Sequence, residues 1–183
     1  MKLKLGILFF SAVLLLSACG EAQIEKVEPA AAKNSAATTN KAANNSEKPA
    51  KENTKAPEVF KIGDSVTFND LVVTVNSIKD SKGDDFIKPE EGKIYKIVDI
   101  TVENKGKEEA VVSSVMNTSM ADGDGYTYDI TITSVVKNQL DGSVGAGRKL
   151  RGQVAFEVPK TAKGLEFIFS DPFTKGQAIW KLN

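Results

Sequence analysis

The stretch KIYKIVDITVEN, residues 93–104, alternates along its whole length. Ile94, Lys96, Val98, Ile100 and Val102 fall on one side of an extended chain. Tyr95, Ile97, Asp99, Thr101 and Glu103 fall on the other. A period of two marks a strand, because successive side chains of extended backbone point to opposite faces. The second side starts apolar and turns polar, as when a strand runs out from under a cover.

Comparable runs follow one another from Val59 onward. SVTFNDLVVTVNSI (65–78) reads as two strands around the turn pair Asn69-Asp70. VVSSVM (111–116) and YTYDITI (126–132) read as strands flanking the turn DGDG. KLRGQVAFEVP (149–159) puts Val154, Phe156 and Val158 on one face and ends at Pro159, because a central strand cannot spare an N–H. LEFIFS (165–170) and QAIWKL (177–182) complete the series, and residues 79–92 form a long connection. No stretch carries a convincing amphipathic helical period or a βαβ alternation. Short strands separated by turn signals predict an all-β fold, an antiparallel β-sandwich or barrel over residues 59–183. That length supports a two-layer core without disulfides.

The N-terminus has a different character. Lys2 and Lys4 precede LGILFFSAVLLL (5–16). A membrane-spanning helix needs about 20 apolar residues, so this block is too short, but it fits the core of a secretory signal peptide. The segment closes on Leu16-Ser17-Ala18-Cys19. These residues resemble the lipobox of bacterial lipoproteins, and the resemblance implies that residues 1–18 are removed and that Cys19 carries a diacylglyceryl group. Cys19 is the only cysteine in 183 residues, so no disulfide is expected. The implied location is the outer face of the cell membrane, with the membrane itself as a partner through the lipid on Cys19.

Residues 19–58 read as a disordered tether. After the cysteine, Ile24 and Val27 are the only large aliphatics, aromatics are absent, and Pro29, Pro49 and Pro57 interrupt any helix. Such a segment buries too little apolar surface to offset its ordering entropy. As a coil it would reach roughly 35 Å, and fully extended about 130 Å, enough to lift a domain off the membrane.

Composition removes several chemistries. The chain has no histidine, which excludes Ser-His-Asp and Cys-His catalysis and His-type zinc sites. Its 24 basic and 24 acidic residues balance, so it lacks the electrostatic footprint of a nucleic-acid binder. Arginine occurs only at Arg148 and Arg151.

The remaining candidate sites read more simply as structure. Asp122-Gly123-Asp124-Gly125 resembles a calcium loop superficially, but Tyr126 and Thr133 stand where an EF-hand needs ligands, and Asp-Gly pairs are ordinary turn residues. Asp84, Asp85, Glu90 and Glu91 read as a solvated acidic loop. Asp99 and Glu103 share a strand face and are the nearest approach to a glycosidase pair, though outward carboxylates are more often simply wet. GSVGAGRKLRG (142–152) lacks the ending of a phosphate-binding loop, while Arg148, Lys149 and Arg151 leave weak contact with an anionic wall polymer or headgroup open. Phe60, Phe68, Phe86 and Phe173 lie near turns, with core or rim packing favoured over a ligand patch.

GDSVTFNDLVVTV, EGKIYKIVDITVENKGKEE, DGYTYD and GRKLRGQVAFEVP, in that order, resemble the DUF-type lipoprotein domain common in Gram-positive bacteria, related to the mycobacterial immunoprotective extracellular antigen. The resemblance covers about residues 60–183. Its most specific parts are the strand ending in Asn104 and the set Gly152, Phe156, Val158 and Pro159. It implies an immunoglobulin-like β-sandwich and no activity. The single tryptophan, Trp180, lies in the last strand, so the likeness to antibody domains is architectural only. The reading that follows is a lipid-anchored, non-catalytic binding module needing no cofactor or metal, with a protein or cell-wall polymer as its partner. The alternatives are a carboxylate-based hydrolase of wall glycan and an accessory subunit of a membrane transport or signalling complex.

Overall fold

Alternation along the chain becomes two facing sheets. The computed structural model describes residues 22–27 and 58–182. Cys19, the expected leader at residues 1–18 and most of the expected tether lie outside the described residues. In chain order the elements are β1 (Ile24–Lys26), β2 (Val59–Lys61), β3 (Ser65–Phe68), β4 (Leu71–Ser81) and β5 (Lys93–Asn104). They continue through β6 (Ala110–Val112), a single helical turn α1 (Ser114–Asn117), β7 (Thr118–Ala121) and β8 (Thr127–Tyr128). The last four are β9 (Gly142–Val144), β10 (Lys149–Pro159), β11 (Glu166–Ser170) and β12 (Gln177–Lys181). One sheet has the order β1-β3-β4-β5-β10 and the other β2-β12-β11-β7-β8, with β6 and β9 pairing separately. The fold is an immunoglobulin-like β-sandwich, antiparallel except where β2 runs parallel to β12.

The two faces of β5 explain its mixed pattern. Val98, Ile100 and Val102 enter the main core, whereas Tyr95 and Ile97 join Ala155 in a small cluster on the outer side. Val135 and Val136 lie over that cluster and are its cover. Beyond the cover, Asp99, Thr101 and Glu103 face water. The Asn69-Asp70 turn joins β3 to β4, with Asn69 at φ +53°, a left-handed conformation that asparagine tolerates.

Aromatic rings join the sheets. Phe156 of β10 meets Phe167 of β11 edge-on at 6.3 Å, Phe167 lies 5.9 Å from Trp180, and Trp180 lies 5.8 Å from Phe60. Phe68 and Phe169 form a second edge-on contact at 5.5 Å. Trp180 is fully buried, and its indole N–H donates to the Asp64 carbonyl at 3.1 Å, so its polar atom is satisfied. Phe60 and Phe68 are therefore core residues, while Phe86 and Phe173 are exposed.

β10 would be an open edge, and the chain covers it. The Thr131 N–H donates to the Ala155 carbonyl, and the Gln153 N–H to the Asn138 carbonyl, each at 2.7 Å. This close crossing requires Gly152, where a Cβ would stand 2.6 Å from the Leu140 Cα. Covering an edge this way blocks pairing with another chain.

Three expectations need correction. The tether is not wholly outside the fold: β1 pairs with β3, Ile24 opposite Phe68 and Lys26 opposite Val66. Averaged composition hides one apolar residue, Ile24, which packs against the core beside Gly176, and Lys26, which lies 2.8 Å from Asp64. Residues 28–57 thus connect two strands of the sandwich instead of leading into it. Next, 111–116 is not one strand. β6 stops at Val112 because the Asp141 carboxylate captures the Ser114 N–H at 2.7 Å and starts α1. Finally, 126–132 is a strand only at Thr127–Tyr128. Ile130 then crosses to bridge Phe156, leaving one sheet to flank the other.

Phe156→Ala should lower unfolding free energy by ~3–5 kcal/mol through lost burial and a cavity. Glu157→Ala should cost under about 1 kcal/mol, because it removes only solvent-exposed contacts, a 3.6 Å pair with Lys93 and the bond accepted from the Glu90 N–H. Denaturant midpoints of the two variants measure the difference, and equal small effects would refute the register of β10.

Candidate functional site

Asn104 ends β5 and organises one end of the sandwich. It is buried, and its side-chain amide donates to the carbonyls of Glu108 and Val144, both at 2.7 Å. Its Oδ1 accepts the Gly106 N–H at 2.8 Å. Its backbone accepts from Gly147 and donates to the Arg148 carbonyl. One side chain thus holds the 105–109 turn against the end of β9, and its backbone holds the turn that follows. Gly106 fits closely here: a Cβ would come within 3.0 Å of the Asp70 side chain and 3.1 Å of Asn104 Oδ1, so either side chain would have to shift slightly.

A groove of about 700 Å³ opens beside this anchor. Its walls come from the Asn69-Asp70 turn, the 105–109 turn, β6, α1 and the loop 171–173. Phe68, Leu71 and Phe169 form an apolar floor continuous with the core. Val111, Met116 and Phe173 stand on its walls with 72%, 51% and 78% of their surface open to solvent. Such a concentration of exposed apolar side chains at one end is the usual mark of a contact surface. α1 is fixed underneath by Ser114, whose hydroxyl lies 3.0 Å from both Asp141 carboxylate oxygens and accepts from Gln139. The Asn117 amide ties α1 to the Ser170 carbonyl at 2.9 Å.

The carboxylates singled out from sequence are engaged elsewhere. Asp99 accepts from Arg151 at 2.9 Å and from Asn76 at 2.7 Å. Burial pushes the Asp99 carboxyl up, but Arg151 and Asn76 outweigh it and the net shift is downward. Glu103 pairs with Lys105 at 2.7 Å, which lowers its pKa, and with Lys149 at 3.5 Å. The two carboxylates therefore serve separate cross-strand ion pairs. Asp84 accepts the N–H groups of Phe86 and Ile87 and the Ser134 hydroxyl, and Glu90 pairs with Lys93. Asp122 accepts the N–H groups of Asp124 and Tyr126 and, at 2.6 Å, the Tyr128 hydroxyl. The Asp-Gly turn is thus closed by its own first carboxylate. Arg148 lies in the turn between β9 and β10, with its backbone tied to Asn104. Cys19 is outside the described residues.

Sequence reasoning misses the groove itself. Its members are scattered from Phe68 to Phe173, and the one local signal is a strand-ending Asn followed closely by Gly106.

Residues 60–179 match the family model described as a domain of unknown function, DUF4352. Among solved structures, the yjhA protein of Bacillus subtilis is similar at 16% identity and a TM-score of 0.55, over 68% of this chain and all of that one. A candidate lipoprotein of the same organism, ycdA, is similar at 17% identity and a TM-score of 0.52, over 71% of this chain but 39% of that longer one. An uncharacterised β-sandwich protein from Clostridium difficile aligns at 18% identity and a TM-score of 0.50, over 74% of this chain and all of that one. At these identities the likeness is one of fold. No curated protein matches the chain.

Asn104→Ala should destabilise the domain by about 2–4 kcal/mol, since it strands the buried Val144 carbonyl, the partly buried Glu108 carbonyl and the Gly106 N–H as well as leaving a void. Asn104→Asp should fare no better, because it points an acceptor at the Glu108 and Val144 carbonyls; urea titration compares the three proteins. Tyr128 offers a test by pH. Burial, with the hydrogen bond to Asp122, pushes its hydroxyl from 10 up to about 12. A raised pKa gives stability that is complete below pH 10 and lost as pH rises toward 12. Ultraviolet titration should show a tyrosinate step near pH 12 that Tyr128→Phe removes.

Proposed function

The chain belongs to the DUF4352 family, and we propose that it is an exported lipoprotein, held to the membrane by lipid on Cys19, whose sandwich is a non-catalytic binding module. The observation that carries the binding role is the groove around Asn104, with an apolar floor and with Val111, Met116 and Phe173 exposed along its walls. Such a surface suits an apolar group or face, with the Lys107 and Glu108 rim giving it orientation. The anchor is supported by Leu16-Ser17-Ala18-Cys19 following a short apolar block and by the ycdA likeness. Asp99, Glu103 and Asp122 are each committed to hydrogen bonds or ion pairs, which favours binding over hydrolysis.

Cys19→Ala tests the anchor. The native protein should partition with membranes and carry a lipid mass on its N-terminal peptide. The variant should stay unprocessed or be released, and unchanged membrane extraction with unchanged mass would overturn the reading.

A further inference from the structure

β1 sets how far the sandwich can stand from its anchor. The Ala22 N–H donates to the Lys175 carbonyl at 2.6 Å, and Gln23 exchanges hydrogen bonds with Asn69 through its N–H and carbonyl. Two residues lie between Cys19 and Ala22, so the three Cα steps reach about 10 Å at full extension. The chain therefore enters the fold between the Asn69 turn and the 171–176 loop, and both border the groove end.

We propose that this end of the sandwich rests on the bilayer that holds Cys19, with Phe173, Met116 and Val111 entering the interface. The inference deepens the binding role and rests on lipid attachment at Cys19. A leash of about 10 Å brings the groove mouth to the headgroups, and leaves no room for a folded partner about 30 Å thick. Interfacial elements bury their apolar side about 5–10 Å into the headgroup and acyl boundary, the depth that exposed side chains on a loop can reach. Charge complementarity is not the attraction. Lys105, Lys107 and Lys175 at this end are offset by Asp70, Glu108, Glu109 and Asp171, so the contact is apolar and indifferent to lipid charge. The opposite end, at Lys160, stands about 35 Å away along β5 and β10.

The test uses the full lipidated protein in phosphatidylcholine vesicles. With the Cys19 sulfur consumed by lipid, Lys107→Cys or Lys160→Cys supplies a single thiol for an environment-sensitive fluorophore, and lipids spin-labelled near the headgroup quench it. Position 107 should be quenched and position 160 spared, with no change at high salt. Adding Phe173→Asp should reduce the docked population about tenfold. Ala22→Pro with Ile24→Ser should release β1 and bring position 107 to the level of position 160. Equal weak quenching at both positions, with lipid on Cys19 verified by mass, would overturn membrane docking and leave the anchor standing. An unmodified Cys19 would overturn both. Position 107 shielded in intact cells but open in protein-only vesicles would mean that another protein covers the groove, and would also overturn the proposal.

Discussion

The structure depends on apolar rings meeting between two sheets that no disulfide joins. Phe156, Phe167, Trp180 and Phe60 form a continuous line from β10 across to β2. Each edge-on or tilted pair adds about 0.5–1.5 kcal/mol beyond burial, and each ring also fixes the register of its strand. The line reaches the parallel strand β2, whose only long-range partner in the sheet is β12. Without that line, β2 would be held to the sandwich mainly by its short ladder to β12.

Strands whose pattern is internal are legible in the amino-acid sequence alone. Residues 93–104 and 149–159 have the expected bounds, because each carries enough alternating residues to define a face. The apolar side of Tyr95 and Ile97 implies a cover, although nothing local indicates that Val135 and Val136 supply it. β1 is illegible for the opposite reason: three residues in an Ala- and Lys-rich stretch carry no period, and their pairing is decided by β3 and by Asp64. α1 is also hidden. Ser114 turns because of Asp141, a partner 27 residues away.

The groove shows the same division. Asn104 is readable as a strand end, but its bracing role needs the contact to Val144, 40 residues away, beside its local bonds to Gly106 and Glu108. A buried amide with its hydrogen bonds made is costly to disturb, so the loops around it form a stiff rim and not a loose fringe. Exposed residues such as Phe173 and Met116 sit on that rim at little cost to the core. A hydrophobic surface can be maintained there because the rest of the domain does not use it.

The return of β1 to the sheet changes what a protease could do to this protein. In a simple tether, any cut between the anchor and the domain would shed the domain. Here a cut anywhere in residues 28–57 falls between two strands of one fold. The covalent link would be lost, yet the two pieces would still be joined by the β1–β3 ladder, the Lys26–Asp64 pair and the packing of Ile24. With lipid on Cys19 as proposed, retention at the membrane would then be an equilibrium property, set by how long a three-residue strand holds its place.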